Sequence, residues 1–294
     1  MRIAVTGGSG KLGRTVVREL RGHGHHVVNL DQAGERGPGF VRIDLQDAGQ
    51  VLDALTGIDE QAPDGFDAVV HLGAIPAPGL ASNTATFHNN MLGTYNVLSG
   101  AIKAGITNIV TASSETVLGL PFDTPPPYIP VDEEYDARPE STYSLSKHLE
   151  EQLAIQLTRW HPEVKIVALR FSNVMDEADY AAFPSFDADA GARKWNLWGY
   201  IDARDGAQAV LRALELEQRG FDRFIIAAAD TVMSRPNAEL IAEVFPGVPV
   251  TREVGPNETL LSIDKARRVL GFDPQYSWRA AREASQMVSN GAEH

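Results

Sequence analysis

The stretch Arg2-Ile-Ala-Val-Thr-Gly-Gly-Ser-Gly-Lys-Leu-Gly13 decides the fold of this chain. Its apolar run, residues 2–6, predicts a buried strand because the run ends at glycines. Residues 11–21 then place apolar side chains on one helical face, and residues 26–30 form a second strand-like run. The pattern therefore predicts a strand–helix–strand unit, and its first turn carries Gly7, Gly10 and Gly13.

The glycine spacing in this turn suits a dinucleotide. Gly7 permits a tight turn, Gly10 lets the backbone approach a pyrophosphate, and Gly13 lets helix and strand pack closely. The helix N-terminus offers free N–H groups to the phosphates. Asp31 ends the second strand, where a carboxylate accepts hydrogen bonds from a ribose diol and repels a 2′-phosphate, so we predict NAD rather than NADP. A glycine-rich turn with a surface Asp is the alternative, but the complete order of features favours the cofactor.

Composition limits the classes of partner. The chain has 294 residues, a net charge of −13 and no cysteine. The negative charge argues against nucleic acid and anionic membranes, and no apolar run is long enough for a membrane span. The N-terminus enters a strand almost at once, so no secretory leader is expected, and a cytoplasmic location is predicted. His23, His25 and His26 have no acidic partner at ligand spacing, so no metal site is predicted.

Strands and helices alternate along the rest of the chain. Strands are predicted at 40–43, 68–72, 108–112, 165–170 and 221–228, and helices at 46–55, 84–104, 142–160 and 200–220. In helix 84–104 we predict that Leu92, Tyr95 and Leu98 point inward. The pattern predicts an α/β fold, a doubly wound parallel sheet with ligands at the carboxyl ends of its strands. Residues 1–170 and 200–228 should form the dinucleotide-binding Rossmann domain, and 171–199 and 229–294 a small substrate lobe, with the active site between them.

Tyr143 and Lys147 are the candidates for acid–base chemistry, because residues four apart on a helix share one face. A phenol with a pKa of about 10 is a poor base at neutral pH. A nearby ammonium and an oxidised nicotinamide both favour the phenolate. Tyr143 would then remove a proton from a substrate hydroxyl while hydride leaves the carbon. The alternative is a surface Lys beside a packed Tyr.

The order of these segments resembles the extended short-chain dehydrogenase/reductases, which include the NAD-dependent epimerases and dehydratases. The resemblance is carried by Thr6–Gly13, Asp44-Leu45, His71–Ala74, Asn90–Thr94, Ser113-Ser114, Tyr143–Lys147, Arg170–Asn173 and the tail segment 262–274. It implies a Rossmann fold, a small-molecule carbohydrate substrate and a homodimer formed by helices 84–104 and 142–160 in a four-helix bundle.

The same resemblance implies the site residues. Ser114 would orient the substrate oxygen, Tyr143 would act as acid and base, and Lys147 would support Tyr143 and hold the nicotinamide ribose. Asp44 and Leu45 would flank the adenine, and Leu72 to Ala74 would pass under the cofactor. The full predicted cofactor set is Gly7, Gly10, Lys11, Leu12, Gly13, Asp31, Asp44, Leu45, Leu72, Gly73, Ala74, Asn90, Tyr143 and Lys147.

Departures from the family pattern narrow the substrate. Relatives that use nucleoside-diphosphate sugars carry Gly-Pro after the Arg-x-x-Asn segment and a diphosphate-binding Arg further on. Here Val174-Met follows Asn173, and Trp198 lies where that Arg would fall. An indole cannot make the charge-assisted bonds of a guanidinium. The nearby acids, which we expect to disfavour phosphates further, are Asp176, Glu177, Asp179, Asp187 and Asp189.

The short lobe is similar to that of the uronate dehydrogenase branch, in which an Arg holds the substrate carboxylate. Arg193 is the candidate for that role here, with Lys194 beside it; the alternative is that both are solvated loop charges. The predicted substrate-binding residues are thus Ser114, Asn173, Arg193 and Trp198. We predict an NAD-dependent dehydrogenase of a carbohydrate or sugar acid. A nucleotide-sugar epimerase or dehydratase with tightly bound NAD is the alternative; a degenerate NAD-sensing regulator is disfavoured by the intact Ser, Tyr and Lys.

Overall fold

The computed structural model describes residues 1–291, apart from the side chains of 285, 286 and 288–291. The predicted end of the lobe at residues 292–294 lies outside the described residues. Nine strands occur in this part of the chain: β1 Arg2–Thr6, β2 His26–Asp31, β3 Phe40–Arg42, β4 Ala68–His71, β5 Asn108–Ser114, β6 Lys165–Phe171, β7 Val174–Met175, β8 Ile201–Asp202 and β9 Gly220–Ile226.

Seven of these strands form one sheet in the order β3-β2-β1-β4-β5-β6-β9, and every neighbouring pair is parallel. The strand order reverses between β1 and β4, the switch point at which doubly wound sheets bind ligands. The predicted Rossmann fold is therefore confirmed. β7 and β8 pair separately as a small parallel sheet.

The described helices occupy both faces of the large sheet or the lobe beside it. They are α1 Lys11–Gly22, α2 Ala48–Thr56, α3 Asn83–Lys103, α4 Thr142–Trp160, α5 Ala203–Glu215, α6 Asn237–Val244, α7 Asp264–Leu270 and α8 Trp278–Gly291. Short 3₁₀ helices lie at Glu115–Leu118, Glu177–Ala188 and Ala190–Asn196. Within the residues described, no helix is long and apolar enough to cross a membrane.

Alternating side chains on the strands divide the core into two layers. On β1, Ile3 and Val5 pack on one face, against α1 and α5, whereas Ala4 packs on the other, against α2, α3 and α4. This two-sided burial explains why the strand sequences are continuous apolar runs. On α5, the side chains that face the sheet are buried; they include Ala207, Val210, Leu211 and Leu214.

The predicted orientation of α3 is wrong at two of three positions. Leu98 is fully buried, but Leu92 is 47% exposed and Tyr95 49% exposed. The buried face of α3 instead includes small and polar residues such as Gly93 and Thr94. A Cβ added at Gly93 would lie 3.3 Å from Leu45 Cβ, so the helix approaches its neighbours too closely for large side chains. The sequence prediction placed large apolar side chains inward, whereas the close approach of α3 to its neighbours leaves room only for small residues on this face.

Two ion pairs join α1 to the lobe segment that follows β7. Lys11 Nζ lies 2.5 Å from Asp179 Oδ2, and an Arg14 guanidinium nitrogen lies 3.2 Å from Asp176 Oδ2. Aromatic rings pack beside this segment: Tyr180, Phe183 and Tyr200 contact one another, and Trp278 contacts Phe183. The segment after β7 therefore lies against α1 next to the glycine-rich turn.

Candidate active site

A cavity of about 790 Å³ lies at the carboxyl ends of β1, β4, β5 and β6. The parallel register brings these ends together, since Thr6 pairs with His71 and Ser114 with Phe171. Most of the predicted site residues line this cavity: Gly7, Gly10, Lys11, Leu12, Gly13, Asp31, Leu72, Gly73, Ala74, Ser114, Tyr143, Lys147 and Asn173.

The glycine-rich turn has the close packing that its spacing predicts. Gly7 has φ of 69°, and a Cβ there would lie 2.6 Å from the backbone nitrogen of Gly73. A Cβ on Gly13 would lie 2.1 Å from the carbonyl oxygen of Gly7, so helix and strand could not meet with a larger residue.

The turn also leaves a cradle suited to a pyrophosphate. Gly10 caps α1 without any side-chain hydrogen bond, so the first N–H groups of the helix remain available at the cavity wall. Asp31 Oδ2 accepts a hydrogen bond from the Ser9 N–H at 2.9 Å, which ties the carboxylate at the end of β2 to this turn. The residues present therefore fit a dinucleotide, with Asp31 at the adenosine end.

Three predicted cofactor residues lie behind the cavity wall and do not line it. Asn90 is fully buried on α3, where its amide accepts from the Ile75 N–H at 2.8 Å and donates to the Ile75 carbonyl at 3.1 Å. It thus fixes the segment after β4. Leu45 packs its side chain against Gly73. Asp44 Oδ1 accepts from Gln32 Nε2 at 3.0 Å beside a separate shallow pocket. Leu45 therefore supports the cavity wall at Gly73 and Asn90 fixes the segment next to it, whereas Asp44 lies at the separate pocket.

Ser114, Tyr143 and Lys147 lie next to one another in the cavity wall. Ser114 ends β5, whereas Tyr143 and Lys147 lie one turn apart on α4, which Ser141 begins with a capping box. Burial raises the pKa of the Tyr143 phenol, and the Lys147 charge and the Ser114 hydroxyl lower it in part. Lys147 Nζ donates to the Ala112 carbonyl at 3.0 Å and to Glu150 Oε2 at 2.9 Å.

A buried polar chain continues behind Lys147. Burial lowers the pKa of Lys147, but Glu150, with help from Tyr143 and Glu151, raises it above its ordinary value. Burial likewise raises the pKa of Glu150, although Lys147 and the Thr94 hydroxyl lower it in part. His71 connects Thr94 (Nε2 to Oγ1, 3.0 Å) with Thr6 (Nδ1 to Oγ1, 2.7 Å). Burial lowers the pKa of His71 to about 3, so this imidazole is a neutral structural link.

Glu115 is a cavity residue that the sequence prediction missed. It follows Ser114 directly, is 3% exposed and lines the cavity. Its Oε2 accepts from Ser172 Oγ at 2.5 Å and its Oε1 from Asn196 Nδ2 at 3.2 Å. Burial raises the pKa of this carboxyl to about 7, against the lowering effect of these donors and Arg193.

Two lobe residues lie elsewhere than the sequence suggested. Trp198 is fully buried, donates its indole N–H to the Ala190 carbonyl at 2.8 Å and does not line the cavity. Trp195 lines the cavity in its place. Arg193 is 6% exposed and lies 5.0 Å from the ring centroids of both Phe186 and Trp195. The alternative of a solvated loop charge is thereby wrong for Arg193, whose guanidinium supports the ring that faces the cavity.

The five acids between Asp176 and Asp189 do not face a ligand as expected, because each is engaged by another part of the protein. Asp176, Glu177 and Asp179 each form an ion pair, with Arg14, Arg204 and Lys11 respectively. Asp187 accepts hydrogen bonds from Ser234, and Asp189 caps its own 3₁₀ helix. None of the five lines the cavity. They stabilise the segment 176–189, and Asp176 and Asp179 fasten it to α1, so none of the five is placed to repel a ligand in the cavity directly.

The positive charges of the cavity wall are already paired. Among the described residues, the cations that line the cavity are Lys11 and Lys147, and no arginine does so. Lys11 pairs with Asp179 at 2.5 Å and Lys147 with Glu150 at 2.9 Å. No group of His, Asp and Glu in the described part of the chain could hold a metal ion.

Four of the remaining wall residues lie within segments that carry the family resemblance, although none was predicted as a site residue: Ser9, Ser113, Phe171 and Ser172. The full set of wall residues outside the predicted site is Ser9, Ala33, Pro76, Ala77, Pro78, Ala112, Ser113, Glu115, Thr116, Phe171, Ser172, Val174 and Trp195. Most lie at or just beyond the carboxyl ends of predicted strands. That position is the signal that could have identified them.

The fold and the cavity together define a Rossmann enzyme of the short-chain dehydrogenase/reductase type. Residues 3–227 match the model of the NAD dependent epimerase/dehydratase family. The chain belongs to this family, and its cofactor is NAD.

Individual relatives include more than one activity. A UDP-glucose 4-epimerase of Rhizobium leguminosarum bv. trifolii is 27% identical over 93% of both chains. An L-arabinose 1-dehydrogenase (NAD(P)(+)) of Haloferax volcanii is 36% identical over 52% of this chain and 59% of its own length.

Solved structures share the fold. A short-chain dehydrogenase/reductase superfamily protein from Agrobacterium tumefaciens, with bound NAD, is 25% identical over the whole of both chains, with a TM-score of 0.69. A mutated uronate dehydrogenase covers 97% of this chain and 86% of its own at 24% identity, with a TM-score of 0.65. At 24% identity, the similarity to the uronate dehydrogenase shows a shared fold and no more.

Proposed function

We propose that the protein is an NAD-dependent dehydrogenase that oxidises a hydroxyl of a free carbohydrate or sugar acid. One observation carries the proposal: both lysines at the cavity wall are already in ion pairs, and Trp198 is buried in the lobe core. The α1 N-terminus suits the pyrophosphate of NAD, but a second diphosphate would find no unpaired cation among the described wall residues.

Side chains of this protein would handle the proton and the substrate. Bound NAD supplies the hydride acceptor. The Ser114 hydroxyl would orient the substrate oxygen, and the Tyr143 phenolate would take the hydroxyl proton. The Lys147 ammonium lowers the pKa of that phenol and so favours its basic form. Asn173 and Trp195 would hold the sugar, because an aromatic ring can cover its apolar face.

The test is a screen for net NADH formation. Purified protein and NAD would be incubated with neutral aldoses, uronates and UDP-hexoses, and NADH would be followed by absorbance. We expect NADH with at least one free sugar or sugar acid and none with UDP-hexoses. NADH formation that required a nucleotide sugar would contradict the proposal.

A nucleotide-sugar epimerase is the second candidate, and the UDP-glucose 4-epimerase similarity over 93% of the chain favours it. In that reaction hydride leaves and returns, so NAD stays bound and no NADH accumulates. Interconversion of UDP-glucose and UDP-galactose without net NADH, followed by chromatography, would select this candidate over the dehydrogenase.

The exposed side of α3 and α4 supports a homodimer as part of the proposal. Leu92, Tyr95 and Leu145 are each more than a third exposed, on two helices that pack against each other over the same sheet face. A second copy would cover them. We also propose a cytoplasmic location, because the chain has no cysteine. We further propose that residues 1–170 and 200–228 form a cofactor domain and that residues 171–199 and 229–294 form a substrate lobe.

A further inference from the structure

Glu115 is a buried carboxyl in the cavity wall to which the proposed chemistry gives no task. Glu115 follows Ser114 in the chain and accepts a hydrogen bond from Ser172, and both serines also line the cavity. The other acid among the described wall residues is Asp31, which belongs to the adenosine end through its bond to Ser9. Glu115 is therefore the acidic group on the side of the cavity where Ser114 and Tyr143 meet the substrate.

The carboxyl is held rigidly by donors from the lobe side. Ser172 Oγ and Asn196 Nδ2 donate to its two oxygens, and the Asn173 N–H also acts on it. A carboxylate offers about four acceptor positions, so these three donors leave room for one further hydrogen bond. A sugar hydroxyl is a suitable donor, whereas the carboxylate that replaces one hydroxyl in a sugar acid has no proton to give and carries the same charge as Glu115.

Arg193 does not offer its positive charge to a substrate carboxylate in the cavity. Arg193 is the candidate for a substrate carboxylate, but its guanidinium stacks between Phe186 and Trp195 and donates to the Gly199 carbonyl at 3.1 Å. It lies behind the wall, where its charge partly balances Glu115.

We propose that Glu115 is a substrate-binding residue that selects an uncharged carbohydrate over a sugar acid. The inference rests on the proposed function and narrows it from carbohydrates in general to neutral ones. An acceptor fixed in a buried wall disfavours a ligand that places a carboxylate against it, because that carboxylate cannot donate and like charges repel strongly where solvent screening is weak.

The selection should depend on pH. Burial raises the pKa of Glu115 to about 7, so the carboxyl is neutral in mild acid and charged above neutrality. The charged or titratable groups that act on it are Arg193 from the 3₁₀ helix Ala190–Asn196 and Tyr143 from α4. Arg193 keeps its charge throughout, and the pKa of Tyr143 is raised from its ordinary value. Discrimination against a sugar acid should therefore increase as the pH rises through neutrality.

The experiment measures binding without turnover. NADH-loaded protein cannot oxidise a sugar, so calorimetric titration with glucose and galactose, and with glucuronate and galacturonate, compares matched neutral and acidic ligands. At about pH 8 we expect each hexose to bind at least roughly tenfold more tightly than its uronate, with a smaller ratio at about pH 6. In Glu115→Gln the ratio should fall towards one and lose its pH dependence.

Three further measurements keep the result interpretable. Glu115→Asp retains the charge and should retain the discrimination. Glu133→Gln is the matched control, since Glu133 is a buried carboxyl that accepts from the Ile225 N–H at 2.8 Å and does not line the cavity. It should leave the ratio unchanged. Thermal melting of each variant checks that the fold is intact.

The outcomes separate this inference from the proposed function. Uronate binding as tight as hexose binding in the wild type, an unchanged ratio in Glu115→Gln, or no binding of either ligand would each overturn the role of Glu115. NADH formation with uronates in preference to hexoses would overturn it while leaving the dehydrogenase in place. Neutral-sugar selectivity without NADH formation would support Glu115 and contradict the dehydrogenase.

Discussion

Lys147 Nζ donates to Glu150 Oε2 at 2.9 Å, and both side chains are only 3% exposed. The ammonium that is to assist Tyr143 is therefore shared with a buried carboxylate on the same helix. Glu150 raises the pKa of Lys147 and also that of Tyr143, against the lowering effect of Lys147 on the phenol. Glu150 therefore holds the Lys147 ammonium in position, but it also cancels part of the lowering effect of Lys147 on the Tyr143 pKa.

Removing this carboxylate should make the phenol more acidic. In Glu150→Gln, we expect the rising limb of the pH–rate profile for sugar oxidation to move to lower pH by about half to one unit. The direction follows because oxidation needs the phenolate, and the loss of a nearby negative charge favours it. The measurement is kcat/KM against pH.

A control separates this effect from a general change of charge. Glu163→Gln alters an exposed carboxylate near the end of α4, 53% exposed, and should leave the profile in place. A profile that did not move in Glu150→Gln would show that Glu150 has no influence on the ionising group.

The proton acceptor itself is tested by Tyr143→Phe, which keeps the ring and removes the oxygen. Turnover should fall roughly 10²- to 10⁴-fold, the usual contribution of a positioned proton-transfer group, while NAD affinity stays nearly unchanged. Tyr135→Phe is the matched control, because Tyr135 is also buried but does not line the cavity. Near-normal turnover of Tyr143→Phe would exclude this residue as the acid–base group.

The sequence predicted the cofactor half of the site better than the substrate half, for a physical reason. Gly7, Gly13 and Asp31 lie on a regular strand–helix–strand unit, where periodicity and steric limits determine the position of each side chain. The lobe segment 177–196 is built of 3₁₀ helices without a repeating apolar pattern. Trp195 therefore could not be distinguished from Trp198 as the ring that faces the cavity.

Charge was the second source of error. Sequence reasoning treats an acid as solvated or repulsive, because the partner of a charged side chain lies far away in the chain. Asp179 and its partner Lys11 are 168 positions apart, and their pairing becomes visible only in the fold. Glu115 was missed for the same reason, since its partners Ser172 and Asn196 are 57 and 81 positions away in the chain. Glu150 was missed because it lies outside the segments that carried the family resemblance.

Asp31 should decide between the two nicotinamide cofactors. Its carboxylate lies at the end of β2, tied to the glycine turn through the Ser9 N–H, where a 2′-phosphate would meet a negative charge. We expect NADP to bind at least roughly tenfold more weakly than NAD in equilibrium titrations. Asp31→Asn keeps an acceptor for Ser9 and should reduce the ratio. Equal affinities in the wild type would remove Asp31 from this role; Arg36, five residues further along the chain, would then be the candidate partner for a 2′-phosphate.

The exposed apolar residues of α3 should lie in the dimer interface. Leu92 and Tyr95 are about half exposed on the side of α3 that faces away from the sheet, so a second copy is the occupant we expect. Sedimentation at micromolar concentration should give a dimer. Changing both residues to Glu should give a folded monomer, whereas Leu80→Glu, at an exposed position outside α3 (65% exposed), should not. A wild-type monomer would contradict the four-helix arrangement.

The last prediction concerns the size and charge of the substrate. A nucleoside diphosphate needs fixed donors for its two phosphates, yet Lys11 and Lys147 are paired with Asp179 and Glu150. Calorimetric titration of NAD-loaded protein with UDP and UDP-hexoses should therefore show dissociation constants of roughly 1 mM or weaker.

The same preparation, loaded with NADH, should bind a neutral hexose in parallel titrations, which shows that the cavity is intact. Asp179→Asn adds a second comparison, since it frees the Lys11 ammonium at the cavity wall. If lack of an unpaired cation is what limits diphosphate binding, this variant should bind UDP several-fold more tightly than the wild type. Micromolar UDP affinity in the wild type would contradict the small-substrate assignment and select the epimerase, because diphosphate donors would then have to exist in a rearranged lobe.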